Sequence, residues 1–208
     1  MKSKLFGIMF FILLSFGSAD SQLIKGYGIK VGAVNANQIW DNDFPTMDRW
    51  GLDAGIFVEA FSKQSFSLLM EFHYVQKGFI YKTLITTEEN PEGNGTYFTI
   101  KPKVNYFSIP FLFKIRFERE SFTPYIIAGP RVDILIESKS GALGNSVFDY
   151  FKSTDFGISL GLGIEIPAKF IPSLIAEFRY SPSLTNSYSS DHLKIKNRSI
   201  EFLLGVCF

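Results

Sequence analysis

The chain has 208 residues, 21 basic and 20 acidic side chains and one cysteine, Cys207, so its length suits one domain and an intramolecular disulfide is excluded. The near-neutral balance contains no clustered Lys/Arg run, which argues against a nucleic-acid partner. Stability has to come from the fold itself.

At the amino terminus, Lys2 and Lys4 precede an apolar run from Leu5 to Leu14, followed by Ser15, Gly17, Ser18, Ala19 and Ser21. This pattern predicts a secretory signal peptide over residues 1–21, cleaved after Ala19 or Ser21. The run is well short of the roughly 20 residues needed to span a bilayer as a helix. Removing residues 1–21 takes Lys2, Lys4 and Asp20 away from the 21 bases and 20 acids, leaving 19 of each on residues 22–208.

Beyond residue 21 the apolar residues alternate with period two, the signature of strands. In chain order, strands are expected at Gly26–Val34, Trp50–Phe61, Phe66–Lys77, Phe107–Phe117, Phe122–Leu135, Asp155–Ile166, Leu174–Tyr180 and Arg198–Phe208. In the fourth, Phe107, Ile109, Phe111, Phe113, Ile115 and Phe117 share a face opposite Ser108, Pro110, Leu112, Lys114 and Arg116. In the sixth, Phe156, Ile158, Leu160, Leu162, Ile164 and Ile166 stand opposite Asp155, Gly157, Ser159, Gly161, Gly163 and Glu165. The last strand places Ile200, Phe202, Leu204, Val206 and Phe208 on one face and finishes on an aromatic residue.

Most of these strands match the roughly 9–11 residues with which a tilted strand crosses a bilayer. The gaps alternate: Ser62–Ser65, Glu118–Ser121 and Pro167–Ser173 are short, whereas Asn35–Arg49, Gly78–Lys103, Ile136–Thr154 and Ser181–Asn197 are long. Short periplasmic turns and long extracellular loops are the pattern of bacterial outer-membrane barrels. A soluble barrel would also alternate, but three features favour lipid outside. The polar face is rich in Gly, Ser and paired charges. Aromatics on the apolar face gather at the strand ends, with Phe61, Phe66, Phe117, Phe122 and Phe208 by the short turns and Trp50, Phe107 and Phe156 by the long loops. Phe202, Leu204, Val206 and Phe208 are expected to form the terminal aromatic signal that barrel assembly machinery reads. The expected fold is an all-β, eight-stranded antiparallel transmembrane barrel over residues 22–208, partnered by outer-membrane lipid.

These segments resemble the PorT-like outer-membrane barrels, a family of outer-membrane protein β-barrel domains. The resemblance is carried by Gly28-Ile29-Lys30-Val31-Gly32, by Glu71 with Tyr74-Val75-Gln76-Lys77-Gly78, and by Tyr106–Lys114 with its Ile109-Pro110. It continues through Pro124-Tyr125, Ala128-Gly129-Pro130, Glu177-Phe178-Arg179-Tyr180 and the closing Leu204-Gly205-Val206-Cys207-Phe208. It implies an outer-membrane location and, as an alternative role, an accessory of a protein secretion and gliding apparatus. It also implies that Pro110 and Pro130 are tolerated in strands, where a local bulge at each would relieve the missing donor.

Turning the polar face inward collects Lys30, Asp53, Glu59, Glu71, His73, Lys77, Lys114, Arg116, Arg131, Asp133, Asp155, Glu165, Glu177, Arg179 and Glu201 in the lumen. Eight strands leave an interior that side chains fill, so these charges should pair and plug it. Glu71, Lys114, Arg116, Glu165, Glu177 and Arg179 are the expected charge network, with Glu71, Lys114, Glu177 and Arg179 at similar depth. Gly157, Gly161 and Gly163 lie in a continuous strand, so they read as small lumen residues and not as a phosphate loop. Asp191 and His192, after Ser189 and Ser190, supply an acid, a base and a hydroxyl, but sequence neighbours do not make a triad. Asp41, Asp43 and Asp48 lack calcium-loop spacing. No catalytic residue, metal or cofactor is therefore expected. Acidic residues of the first two long loops, Glu88, Glu89 and Glu92 among them, face the prospect of a clasp with the basic fourth loop, His192, Lys194, Lys196 and Arg198. The function expected is structural or interactive, with barrel assembly machinery and an envelope protein complex as the expected partners. Secretion accessory, rim enzyme and narrow channel are the alternatives.

Overall fold

The computed structural model describes residues 24–41, 45–63, 65–85, 95, 97–139, 151–168, 173–190 and 193–208. The predicted leader, Asp43, Glu88, Glu89, Glu92, Asp191 and His192 lie outside them. The elements are β1 (Ile24–Trp40), β2 (Arg49–Lys63), β3 (Phe66–Gly78), β4 (Tyr81–Leu84), β5 (Tyr97–Ile100), β6 (Lys103–Arg116), β7 (Thr123–Lys139), β8 (Thr154–Ile166), β9 (Ser173–Pro182), β10 (Tyr188–Ser190) and β11 (Leu193–Cys207).

Eight of these form one antiparallel sheet in the order β1-β2-β3-β6-β7-β8-β9-β11, and β11 pairs back with β1 to close it. The closing seam runs unbroken from Gly28 opposite Cys207 to Trp40 opposite Ile195. Every predicted spanning strand is present. The apolar parity faces outward, with Ile29, Val31, Ile56, Phe111, Phe113, Ile126, Leu160, Leu162, Phe202 and Leu204 all exposed. Phe61, Phe66, Phe117, Phe122 and Phe208 are exposed at the short-turn end, and Trp50, Phe107 and Phe156 toward the long loops.

Toward the long loops, pairing extends beyond the predicted ends, to Trp40 in β1, Lys103 in β6, Lys139 in β7 and Leu193 in β11. Here both faces carry polar residues, as in Asn35, Asn37 and Gln38, so alternation lapses while the backbone ladder continues. The hairpin β4–β5 and the short β10 also lie within stretches expected as loops. The first and fourth loops meet through one backbone and one side-chain hydrogen bond in place of a clasp of opposite side-chain charges: the Asp41 N–H donates to the Lys194 carbonyl at 3.2 Å, and the Lys194 N–H to Asp41 Oδ1 at 3.1 Å.

No bulge occurs at either proline, which corrects that expectation. Register shifts fall at Ile24/Gly26, Ala60/Lys63 and Asn105/Tyr106. Around Pro110 and Pro130 the register is unchanged across two local interruptions of the ladder, one with β7 between Pro110–Arg131 and Phe113–Ala128 and one with β3 between Met70–Phe111 and His73–Ser108. Pro130 falls opposite Phe111 in the β6–β7 interruption and Pro110 opposite Glu71 in the β3–β6 one, so each missing donor has its own short gap without a change of register.

The seam depends on close approach at Gly32, where an added Cβ would lie 1.8 Å from the Phe202 carbonyl oxygen. Gly32→Val should cost about 3 kcal/mol and abolish the heat-modifiable migration of a folded barrel on a gel. The lipid-facing control Ala33→Val should keep it.

Candidate functional site

The lumen is built in layers. Nearest the short turns, Glu59 accepts from Lys114 Nζ at 3.2 Å and pairs with Arg116, while Glu165 pairs with Lys114 and accepts from Arg116 Nε at 3.0 Å. Arg116 Nη1 also donates to Ser67 Oγ at 2.9 Å. Two acids thus face two bases. Beyond the charge cluster lies an apolar layer, Phe57, Leu69, Leu112, Tyr125, Ile127 and Ile175, all buried.

Past that layer comes a second balanced cluster. Lys30 Nζ donates to Glu71 Oε1 at 2.8 Å and to Glu177 Oε2 at 2.9 Å. Arg179 Nη2 donates to Glu71 Oε1 at 2.9 Å, its Nη1 lies 2.6 Å from Oε2, and its Nε pairs with Glu177. The Tyr125 hydroxyl, rising from the apolar layer, donates to Glu177 Oε2 at 2.6 Å. His73 joins this cluster to Asp53, with Nδ1 2.5 Å from Asp53 Oδ1 and Nε2 3.1 Å from Glu71 Oε2.

Toward the long loops, Lys77 donates to Asp133 Oδ2 at 2.7 Å, and Arg131 Nε lies 3.1 Å from the same oxygen. Asp155 then acts as a hub for the fourth loop, accepting from Ser183 Oγ at 2.7 Å, Thr185 Oγ1 at 2.8 Å, Ser187 Oγ at 2.6 Å and Asn197 Nδ2 at 3.1 Å. An apolar cover of Val104, Tyr106 and Phe151 packs with Leu135 and Tyr188 at this end.

The six residues expected as one network therefore separate into two. Glu71, Glu177 and Arg179 belong to the inner cluster with Lys30, whereas Lys114, Arg116 and Glu165 belong to the short-turn cluster with Glu59. Lys114 is not at the depth of Glu71, because the apolar layer comes between them. Phe202, Leu204 and Phe208 are exposed on the outer face, and Val206 is half-buried there. Two features were missed. The apolar layer was visible as large residues on the polar parity, Leu69, Leu112, Ile127 and Ile175. The Asp155 hub was visible as hydroxyls at alternate positions, Ser183, Thr185 and Ser187. Among the described residues, no group of three or more His, Cys, Asp or Glu side chains is placed to hold a metal.

Glycine makes the layers fit. An added Cβ would lie 2.4 Å from the Tyr125 hydroxyl at Gly163, 2.7 Å from the Phe57 ring at Gly28, 2.5 Å from the His73 ring at Gly55 and 2.8 Å from Arg131 Nη2 at Gly157. Large lumen side chains lie against strands that have given up theirs. Arg131 lies on Gly157 and Tyr125 on Gly163, so these glycines hold room for the plug. Glu177→Leu removes one of two anions from a buried pair of cations and should lower unfolding free energy by about 3–5 kcal/mol, read by urea titration in vesicles. Gly163→Leu should also destabilise, through Tyr125, although it removes no charge.

Comparison with known proteins agrees with this geometry. Residues 18–189 match the family model described as the outer membrane protein beta-barrel domain. No curated protein matches. Among solved structures the chain is similar to the outer membrane protein OprG from Pseudomonas aeruginosa, with 8% identity, 88% of this chain and 95% of that chain covered, and a TM-score of 0.50. It is also similar to Neisserial surface protein A, at 17% identity, 87% and 95% coverage and TM-score 0.49, and to Ail of Yersinia pestis, at 13%, 88% and 99% and TM-score 0.46. At such identities the likeness concerns the fold alone. With its exposed apolar belt, the protein is a barrel of the bacterial outer membrane.

Proposed function

We propose, for a chain that belongs to the outer membrane protein beta-barrel domain family, that it is a small non-catalytic envelope protein whose closed barrel is a scaffold for its long loops. The observation that supports this reading is the layered lumen: two charge-balanced clusters lie on either side of a buried apolar layer that fills the interior between them. The barrel's partners are then membrane lipid along the belt, the assembly machinery through the outward row Phe202, Leu204, Val206 and Phe208, and an envelope protein at the loops. Pinning of the fourth loop by Asp155 supports a loop surface of fixed shape, which is where binding on a rigid scaffold resides.

The role of secretion accessory draws its support from the PorT-like resemblance alone. Comparing the proteins released by the native strain and by a deletion of this gene separates the two: the scaffold reading expects an unchanged profile, and loss of a class of exported proteins replaces it with the secretion reading.

In planar bilayers the wild-type barrel should give no resolved conductance steps, while combined Phe57→Ala and Leu112→Ala, which thins the apolar layer, should give small ones. Steps from the wild type would mean that a narrow channel is the better description.

A further inference from the structure

Three basic side chains, Lys194, Lys196 and Arg198, are exposed at alternate positions of β11, separated by Ile195 and Asn197, which are buried in the barrel. Alternate residues of a strand lie about 7 Å apart on one face. Further along the same outer face come Ile200, Phe202 and Leu204, so this basic row stands directly above the lipid-facing belt. Trp50 marks the boundary: it is exposed, pairs across β1 at Asn35, and its ring lies 6.3 Å from that of Phe202. Arg198 is the next outward position above Ile200, at the depth of lipid headgroups.

Below the row, on β1, β8, β9 and β11, an apolar groove of about 630 Å³ opens on the outer face, lined by Val31, Ala33, Leu162, Ala176, Phe202 and Leu204 among others. Ala33 and Ala176 form its low ground between larger side chains. Cations at headgroup depth and an apolar slot beneath them on the same strands match a lipid's two halves.

Among the described residues, two acids stand near the row. Asp48 Oδ1 is 4.0 Å from Arg198 Nη2 and also accepts from Asn37, while Asp41 accepts the backbone N–H of Lys194. Lys196 has no ion pair among the described residues. We propose that this face of the seam is a binding site for a phosphate-bearing lipid of the outer leaflet, its phosphate held by Lys194, Lys196 and Arg198 and an acyl chain in the groove. A second copy meeting this face across a two-fold axis would bring its own three cations against them, which disfavours that occupant.

Purified full-length protein in nanodiscs of phosphatidylcholine with a minority of bis-phosphorylated lipid A, or of the same lipid dephosphorylated, tests the site by native mass spectrometry of retained lipid. Each cation near an anionic headgroup contributes roughly five-fold, so at least about a fivefold preference for the phosphorylated form is expected after the two acids are set against the row. K194Q/K196Q/R198Q should lose that preference, and Ala176→Phe should reduce retention of both lipids. All three basic residues face outward, so heat-modifiable migration should be retained; if the triple variant fails to fold, Lys196→Gln serves in its place. Equal retention of the two lipids by the wild type, a preference that survives the charge substitutions, unchanged retention in Ala176→Phe, or a protein dimer in place of bound lipid would overturn the proposal.

Discussion

Hydrocarbon offers no hydrogen-bond partner to a peptide group, and this constraint determines most of the rest of the structure. A sheet in lipid must close so that no edge is left, and here the closure is the long β1–β11 seam. Closure over eight strands then fixes an interior just wide enough for side chains. Outward residues meet acyl chains, so they are apolar and uniform in kind. Inward residues meet one another across a short distance, so they are complementary in size and charge.

That complementarity explains the lumen's two characteristics. The two charged clusters that flank the apolar layer contain equal numbers of formal acids and bases among their central members, Lys30 and Arg179 against Glu71 and Glu177, Lys114 and Arg116 against Glu59 and Glu165. Desolvating one such ion costs several kcal/mol, repaid only when geometry and hydrogen bonds are good. The clusters are thus better regarded as fixing which strand faces which than as a net source of stability. Glycine opposite the bulky side chains is the steric half of the same arrangement, since Tyr125, Phe57 and His73 each occupy space that a Cβ on the facing strand would take.

The sequence revealed what lipid imposes and little of what lies above it. Period-two alternation marked all eight spanning strands because each strand of the belt has one face in hydrocarbon. Above the belt that contrast disappears: Asn35, Asn37 and Gln38 continue β1 with polar residues on both faces, and β4, β5 and β10 were invisible for the same reason. The charges could be assigned to the lumen from parity alone, and all of those predicted inside are buried or nearly so. Their grouping could not, because it depends on the stagger between strands: Lys114 and Glu71 belong to neighbouring strands but to different layers. Lys30 and Glu59 were recognised as lumen residues, yet their place as partners of these two clusters emerges only from the register. The prolines show a similar limit, since the ladder gap at each depends on which residue stands opposite it, Phe111 for Pro130 and Glu71 for Pro110.

The claim on which this account rests is that the inner cluster acts as a coupled structural unit. A double-mutant cycle on Lys30→Met and Glu177→Leu, with unfolding followed by urea titration in lipid vesicles, measures that coupling most directly. The account predicts that each single change is strongly destabilising and that the double change recovers part of the loss, with a coupling energy of about 1–3 kcal/mol. Additive losses, with no coupling between Lys30 and Glu177, would contradict it.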